Sequence, residues 1–148
     1  MKKLLLLLLA LPAMAFAQKA PQGVTYDAQI LRVSDGDTVV IAAPFLPAPL
    51  KPELAVRIYG VDTPEKGFRA QCPSEDQRGQ AASAFTKNAI SQAAAQGGKF
   101  QATLYGWDKF GGRVLGDILV NGQSLRAALI ANGYAREYYG EAKQSWCK

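Results

Sequence analysis

Glycine and proline cut this chain into β-prone runs of five to seven residues, interrupted once by a stretch long enough for a multi-turn helix. Pieces of that size can only assemble as the short strands of a small sheet, with the long stretch packed on it. Gln29 to Ser34 and Asp37 to Ile41 are β-rich and flank Asp35-Gly36, a pair that favours a two-residue hairpin turn. Pro44, Pro47, Pro49 and Pro52 exclude regular structure, so residues 43–53 are expected to form an extended surface loop. Leu54 to Tyr59 is a third strand ending at Gly60, and residues 60–73 are irregular.

Ser74 and Gln77, with Glu75 and Asp76 between them, have the spacing of a capping box. Ala82, Phe85, Ala89 and Ala93 recur on one helical face, and Gly97-Gly98 ends that helix. Phe100 to Tyr105 alternates apolar with polar residues, and Val114 to Val120 follows as a fifth strand. Asn121-Gly122 leads into a second helix with Leu125, Ala128, Leu129 and Asn132 on one face and Gly133 as its stop. Three strands, a helix, two strands and a helix is the order of an OB-fold. The expected fold class is α+β, a five-stranded antiparallel β-barrel with two to three helices. The polar and aromatic tail from Tyr134 has no clear structure.

The first residues stand apart from this pattern. Lys2 and Lys3 precede the apolar run Leu4 to Leu11, and Ala15-Phe16-Ala17 has the small-x-small form read by signal peptidase. The run is shorter than the roughly 20 residues that span a bilayer, so residues 1–17 read as a cleaved leader rather than an anchor. Cleavage is expected near Gln18, with a cut after Ala15 as the alternative. Residues 18–148 then form one domain, expected to be periplasmic or secreted, monomeric and without stable membrane association. Losing Lys2 and Lys3 lowers the formal net charge from +5 to +3. That mild basic bias is compatible with a polyanionic partner but does not require one. Cys72 and Cys147 are an even pair in an exported chain, which suggests a disulfide worth roughly 4 kcal/mol by loop closure.

There is no histidine. Imidazole-dependent triads and His-paired cysteine nucleophiles are therefore excluded, as are the usual His-containing zinc sites. Catalysis would have to rest on carboxylates, arginines, hydroxyls or an oxygen-bound cation. Asp37 follows the first turn, Arg57 lies on the third strand, Asp62 and Glu65 sit just beyond it, and Arg113 opens the fifth strand. Two aspartates could serve a hard divalent ion if the fold brought their strand ends together. A glutamate could orient an attacking water, and two guanidiniums could grip a phosphate bidentately and stabilise its transition state. Each residue alone has a plainer reading, as a turn aspartate or a surface arginine.

Three segments carry a more specific signal. Val33-Ser34-Asp35-Gly36-Asp37-Thr38-Val39, Arg57-Ile58-Tyr59-Gly60-Val61-Asp62-Thr63-Pro64-Glu65 and Trp107-Asp108-Lys109-Phe110-Gly111-Gly112-Arg113-Val114-Leu115 resemble, in order, three signatures of the thermonuclease (staphylococcal nuclease-like) family. The resemblance implies an OB barrel that cuts DNA, RNA or both with little sequence specificity. The reaction would depend on Ca²⁺ and leave 3′-phosphate ends. It further implies that Asp37 and Asp62 bind calcium through carboxylates and Thr63 through its backbone carbonyl. Glu65 would act as general base or hold the attacking water, and Arg57 and Arg113 would grip the phosphate.

The chain departs from the family's pattern in several places. Gly111-Gly112 stands where the simplest signature has one glycine, so Arg113 depends on the turn absorbing a residue. Phe110 replaces a frequent tyrosine, and the proline-rich loop is longer than the family's turn. No long C-terminal helix is expected after Tyr139. Lys109 is a candidate substrate contact, and Lys66, Arg69 and Lys109 could line a phosphate track or simply keep the surface soluble. Tyr138 and Tyr139 could stack on bases or simply pack under the tail. A non-catalytic OB module that binds single strands or a partner protein is the main alternative. It has no reason to retain Asp37, Arg57, Asp62, Glu65 and Arg113 together.

Overall fold

The computed structural model describes residues 21–147, so the leader predicted at residues 1–17 lies outside the described residues. The elements follow the expected order with additions. They are β1 (Val24–Asp27), β2 (Ile30–Asp35), β3 (Thr38–Ala42), β4 (Glu53–Ile58), β5 (Val61–Asp62), α1 (Pro73–Ala95), β6 (Phe100–Trp107), β7 (Val114–Val120), β8 (Gln123–Ser124), α2 (Leu125–Ala131) and β9 (Arg136–Glu137).

A seven-stranded sheet runs in the order β1-β6-β7-β4-β3-β2, with β8 added on β7, and β5 pairs β9 in a separate ribbon. This corrects the expected five-stranded antiparallel barrel in three ways. β1 and β8 are additional, β4 and β7 run parallel, and no ladder closes the ring among the described residues. The parallel pair follows from connectivity, since α1 and β6 lie between β4 and β7 and form the crossover such a pair needs. The two edges of the sheet are nevertheless consecutive in the chain. Ala28 N–H donates to the Phe100 carbonyl on β6 (2.9 Å), while the next residue, Gln29, accepts from Ala42 N–H on β3 (2.9 Å). One bent strand therefore serves both edges, and the sheet curls around a single core.

That core holds Val39, Ile41, Val56, Ile58, Ala102, Val114 and Ile118 from the strands, with Leu125 and Leu129 from α2. Alternation along β4 puts Leu54, Val56 and Ile58 inward and leaves Arg57 on the opposite face, where the site lies. α1 buries Gly79, Ala82, Thr86, Ile90 and Ala93, whereas the predicted Phe85 is only half-buried and stacks on Tyr134 at 4.6 Å.

Two local expectations shift. The first turn is Gly36-Asp37, because Asp35 already pairs with Thr38 across the β2–β3 ladder. α1 starts at Pro73 with Cys72 as its N-cap, so Ser74 caps nothing. Proline suits the first helical position because its missing N–H would have lacked a helical partner there. The acidic first turn ties down the preceding loop. Glu75 accepts from Gln71 N–H (2.8 Å) and Glu65 N–H (3.3 Å), and Asp76 accepts from Gly67 N–H (2.7 Å). Gly79 allows α1 to approach this loop, since a Cβ there would collide with the Glu65 carbonyl. Cys72 and Cys147 form the expected disulfide, with Cα atoms 5.9 Å apart. It fastens the tail to the start of α1.

Candidate active site

β3, β4 and the loop after β5 converge beneath the β6–β7 turn, and a cavity of about 500 Å³ opens between them. Asp37, Arg57, Thr63, Glu65 and Arg113 line it, as do Lys109, Tyr138 and Tyr139. Asp62 lines a smaller neighbouring cavity of about 370 Å³, which shares Thr63, Glu65, Arg69 and Lys143 with the first. Of the five charged residues predicted to meet, four share one cavity. The fifth lies across a partition of shared side chains.

Asp37 is 5 % exposed, and its contacts come from neighbouring strands and the loop after β5. Its Oδ2 accepts from the Arg57 guanidinium at 2.5 Å and from the Thr63 hydroxyl at 3.0 Å, and its Oδ1 accepts from the Thr38 hydroxyl at 3.1 Å. Arg57 is in register with Thr38 across the β3–β4 ladder, so strand pairing itself delivers the guanidinium to Asp37.

Asp62, equally buried, is held from the tail. Trp146 Nε1 donates to Oδ2 at 3.0 Å, and Lys143 Nζ lies 2.7 Å from Oδ1. Glu65 is more open, with its carboxylate 3.3 Å from Arg69 and 3.9 Å from Lys143.

Arg113 pairs with Asp108 at 2.7 Å. The Phe110 backbone N–H and the Arg113 guanidinium hold the Asp108 carboxyl below its ordinary range, against the opposing effect of burial. The doubled glycine is accommodated within the turn. Gly111 and Gly112 both adopt left-handed backbone (φ 70° and 75°), and Asp108 N–H donates to the Arg113 carbonyl at 2.9 Å to close it. Arg113 therefore still reaches the cavity.

The remaining predicted contacts divide. Lys109 lies over the Phe110 ring at 4.9 Å beside the cavity. Tyr139 packs on Tyr59 and accepts from Arg126 at 2.5 Å, which makes it part of the wall as well as of the lining. Lys66 is drawn off to Asp35 at 3.0 Å. Arg69 pairs with the same aspartate at 2.9 Å yet lines both cavities. Burial would raise the Asp35 carboxyl, but hydrogen bonds and charge from Lys66 and Arg69 outweigh it and leave it below the usual range.

Reading the sequence did not identify Asp108, Glu75, Lys143 or Trp146 as partners of the site. Asp108 lay inside a recognised signature. Glu75 lay inside the capping-box spacing and was read only as a helix-start residue, and Lys143 and Trp146 sit in a tail with no pattern of its own.

The sequence model of a family described as staphylococcal nuclease homologue matches residues 55–146, more than half of the chain. The chain belongs to the staphylococcal nuclease family. No curated protein matches it. The family match takes in Arg57, Asp62, Thr63, Glu65 and Arg113 but begins after β3. The place of Asp37 in this staphylococcal nuclease-type site therefore rests on its contacts with Arg57 and Thr63. The family implies an OB-fold, and the curled sheet, with its edges bridged by one bent strand, is the form found here.

Family membership brings with it the expectation of a calcium site. Among the described residues, no group of three or more His, Cys, Asp or Glu side chains is placed to hold a metal ion. The donors available are all oxygens, because there is no histidine and both cysteines are in the disulfide. Two buried carboxylates and the neighbouring Thr63 match a hard cation in chemistry. Both carboxylates already attract positive charge, from Arg57 and Lys143 respectively.

Proposed function

We propose that this chain is an exported, calcium-dependent endonuclease that hydrolyses phosphodiester bonds of DNA, RNA or both, with little sequence specificity and 3′-phosphate products. The carrying observation is that Arg57, Glu65 and Arg113 line one cavity together with Asp37. A water-activating carboxylate and two phosphate-binding cations are the parts that phosphodiester hydrolysis requires. Export rests on the leader-like residues 1–17, and the disulfide is in keeping with an oxidising compartment. The domain is proposed to act as a monomer, free of the membrane, once that leader is removed.

Asp37, Asp62 and the Thr63 carbonyl would hold the calcium ion, which when bound supplies positive charge to the phosphate oxygens. Arg57 spends one nitrogen on Asp37, which leaves further N–H donors for a phosphate oxygen in the cavity. Arg113 lines the same cavity from just before β7, held by Asp108 until a phosphate competes for it. Glu65 accepts a proton from a water as that water attacks phosphorus. The bond from phosphorus to the 5′ oxygen breaks, and solvent protonates the departing oxygen. Glu65 suits this role better than the two aspartates, since its carboxylate is the most open of the three and both aspartates are buried and already engaged by donors. Lys109, Tyr138 and Tyr139 would contact the flanking nucleotide.

The test is a divalent-ion titration on plasmid and single-stranded substrates with end-group analysis. Calcium-dependent cleavage yielding 3′-phosphates and abolished by chelator is expected. Cleavage unaffected by chelator, or binding of nucleic acid with no cleavage, would overturn the reading.

A further inference from the structure

Asp62 offers one oxygen to the trapped side of the site and one outward. Oδ2 is occupied by the buried Trp146 indole, and Oδ1 by the ammonium of Lys143 at 2.7 Å, which also stands 3.9 Å from Glu65 Oε1. Lys143 thus lines both cavities, the one that holds Asp37 and the one that holds Asp62.

The backbone beyond Lys143 is pinned. Arg136 lies 3.6 Å over the Trp146 ring and donates to the Gln144 and Ser145 carbonyls at 3.3 and 3.1 Å, and Cys147 is tethered to Cys72. The Lys143 side chain has no such tether, its ammonium meeting only the two carboxylates and, at 5.6 Å, the Tyr138 ring among the described residues. It is 48 % exposed, against 20 % for Arg57, so its ammonium regains water at little cost when displaced.

We propose that Lys143 is a resident counter-ion for Asp62, with Glu65 at the edge of its reach, one that balances the aspartate's charge in the cation-free protein and must swing outward before a divalent ion can use Asp62. This rests on the calcium reading above. A divalent ion at Asp62 Oδ1 and the Lys143 ammonium repel each other and compete for the same oxygen, so the binding ion drives the lysine outward. Cation affinity is set below that of the bare carboxylates. This would move the site towards the weak affinities of extracellular calcium modules, roughly 10⁻⁴–10⁻³ M.

Calcium binding by titration calorimetry, and terbium luminescence sensitised through Trp146, are measured on the full mature chain, on Lys143→Met and on Lys143→Arg. Lys143→Met should bind calcium about two- to fivefold more tightly, and its cation-free form should melt lower than wild type, with added calcium closing that gap. Lys143→Arg should stay near wild type. If wild type binds calcium and Lys143→Met binds it equally or less well, the counter-ion role is wrong while the calcium reading stands. If neither protein binds calcium at millimolar concentration, both fall.

Discussion

Asp37 and Asp62 carry the same chemistry and are buried to nearly the same degree, 5 % and 4 % exposed, yet different parts of the molecule hold them. Asp37 takes its partners from neighbouring strands and the adjoining loop: Thr38, Arg57 and Thr63. Asp62 depends on Lys143 and on Trp146, 84 positions away, and that tail is fastened by Arg136 and a disulfide. One half of the site comes with the fold. The other is added by a strap, so the two halves should fail separately.

The largest effect expected is on the strap. Replacing both cysteines, Cys72→Ser with Cys147→Ser, should cost roughly 4 kcal/mol of stability, less any strain that the bond stores. In a Trp107→Phe background the remaining tryptophan, excited selectively over tyrosine, is Trp146. Its signal should change at lower denaturant than the far-ultraviolet signal of the sheet. Coincident transitions would show that strap and sheet are one unit and break the comparison.

On the sheet side, Arg57→Ala should lower turnover on the order of 10²-fold by removing a phosphate ligand. It should also leave Asp37 as a buried, unpaired charge, at about 3 kcal/mol in stability by chemical denaturation. Retained stability would mean that Thr38 and Thr63 suffice for Asp37.

The same division explains what could be read from the sequence. The β2–β3 hairpin, β4 and β7 were legible because turn residues and alternation act over a few positions. Arg57, Asp62, Glu65 and Arg113 were legible because they stand in short motifs. β1, β8 and β9 carried no such mark. β5 and β9 are two residues each, and their pairing of Asp62 with Arg136 is decided by the folded tail rather than by local preference. The start of α1 was misread because Ser74 matches a capping box while Pro73 gives the stronger steric signal. Trp146 and Lys143 serve the site only through long-range contacts, and nothing in their neighbours' identities announces this.

The smallest effect sharpens the sheet side through pH. Asp108 is held below its ordinary carboxyl range, chiefly by the Phe110 N–H with help from Arg113. Its contribution to stability is therefore complete above about pH 4 and is lost as pH falls towards the folded-state value. Asp108→Asn should be less stable than wild type at neutral pH and show a shallower loss below about pH 4 in thermal melts. An unchanged acid limb would remove Asp108 from the groups that stabilise the β6–β7 turn.

The central claim is that Glu65, in one cavity with Arg57 and Arg113, handles the proton of the attacking water. Single-turnover cleavage by Glu65→Gln, with nucleotide affinity measured alongside, tests it most directly. The rate should fall on the order of 10²-fold or more while affinity changes little. A variant that cleaves as fast as wild type would contradict the account.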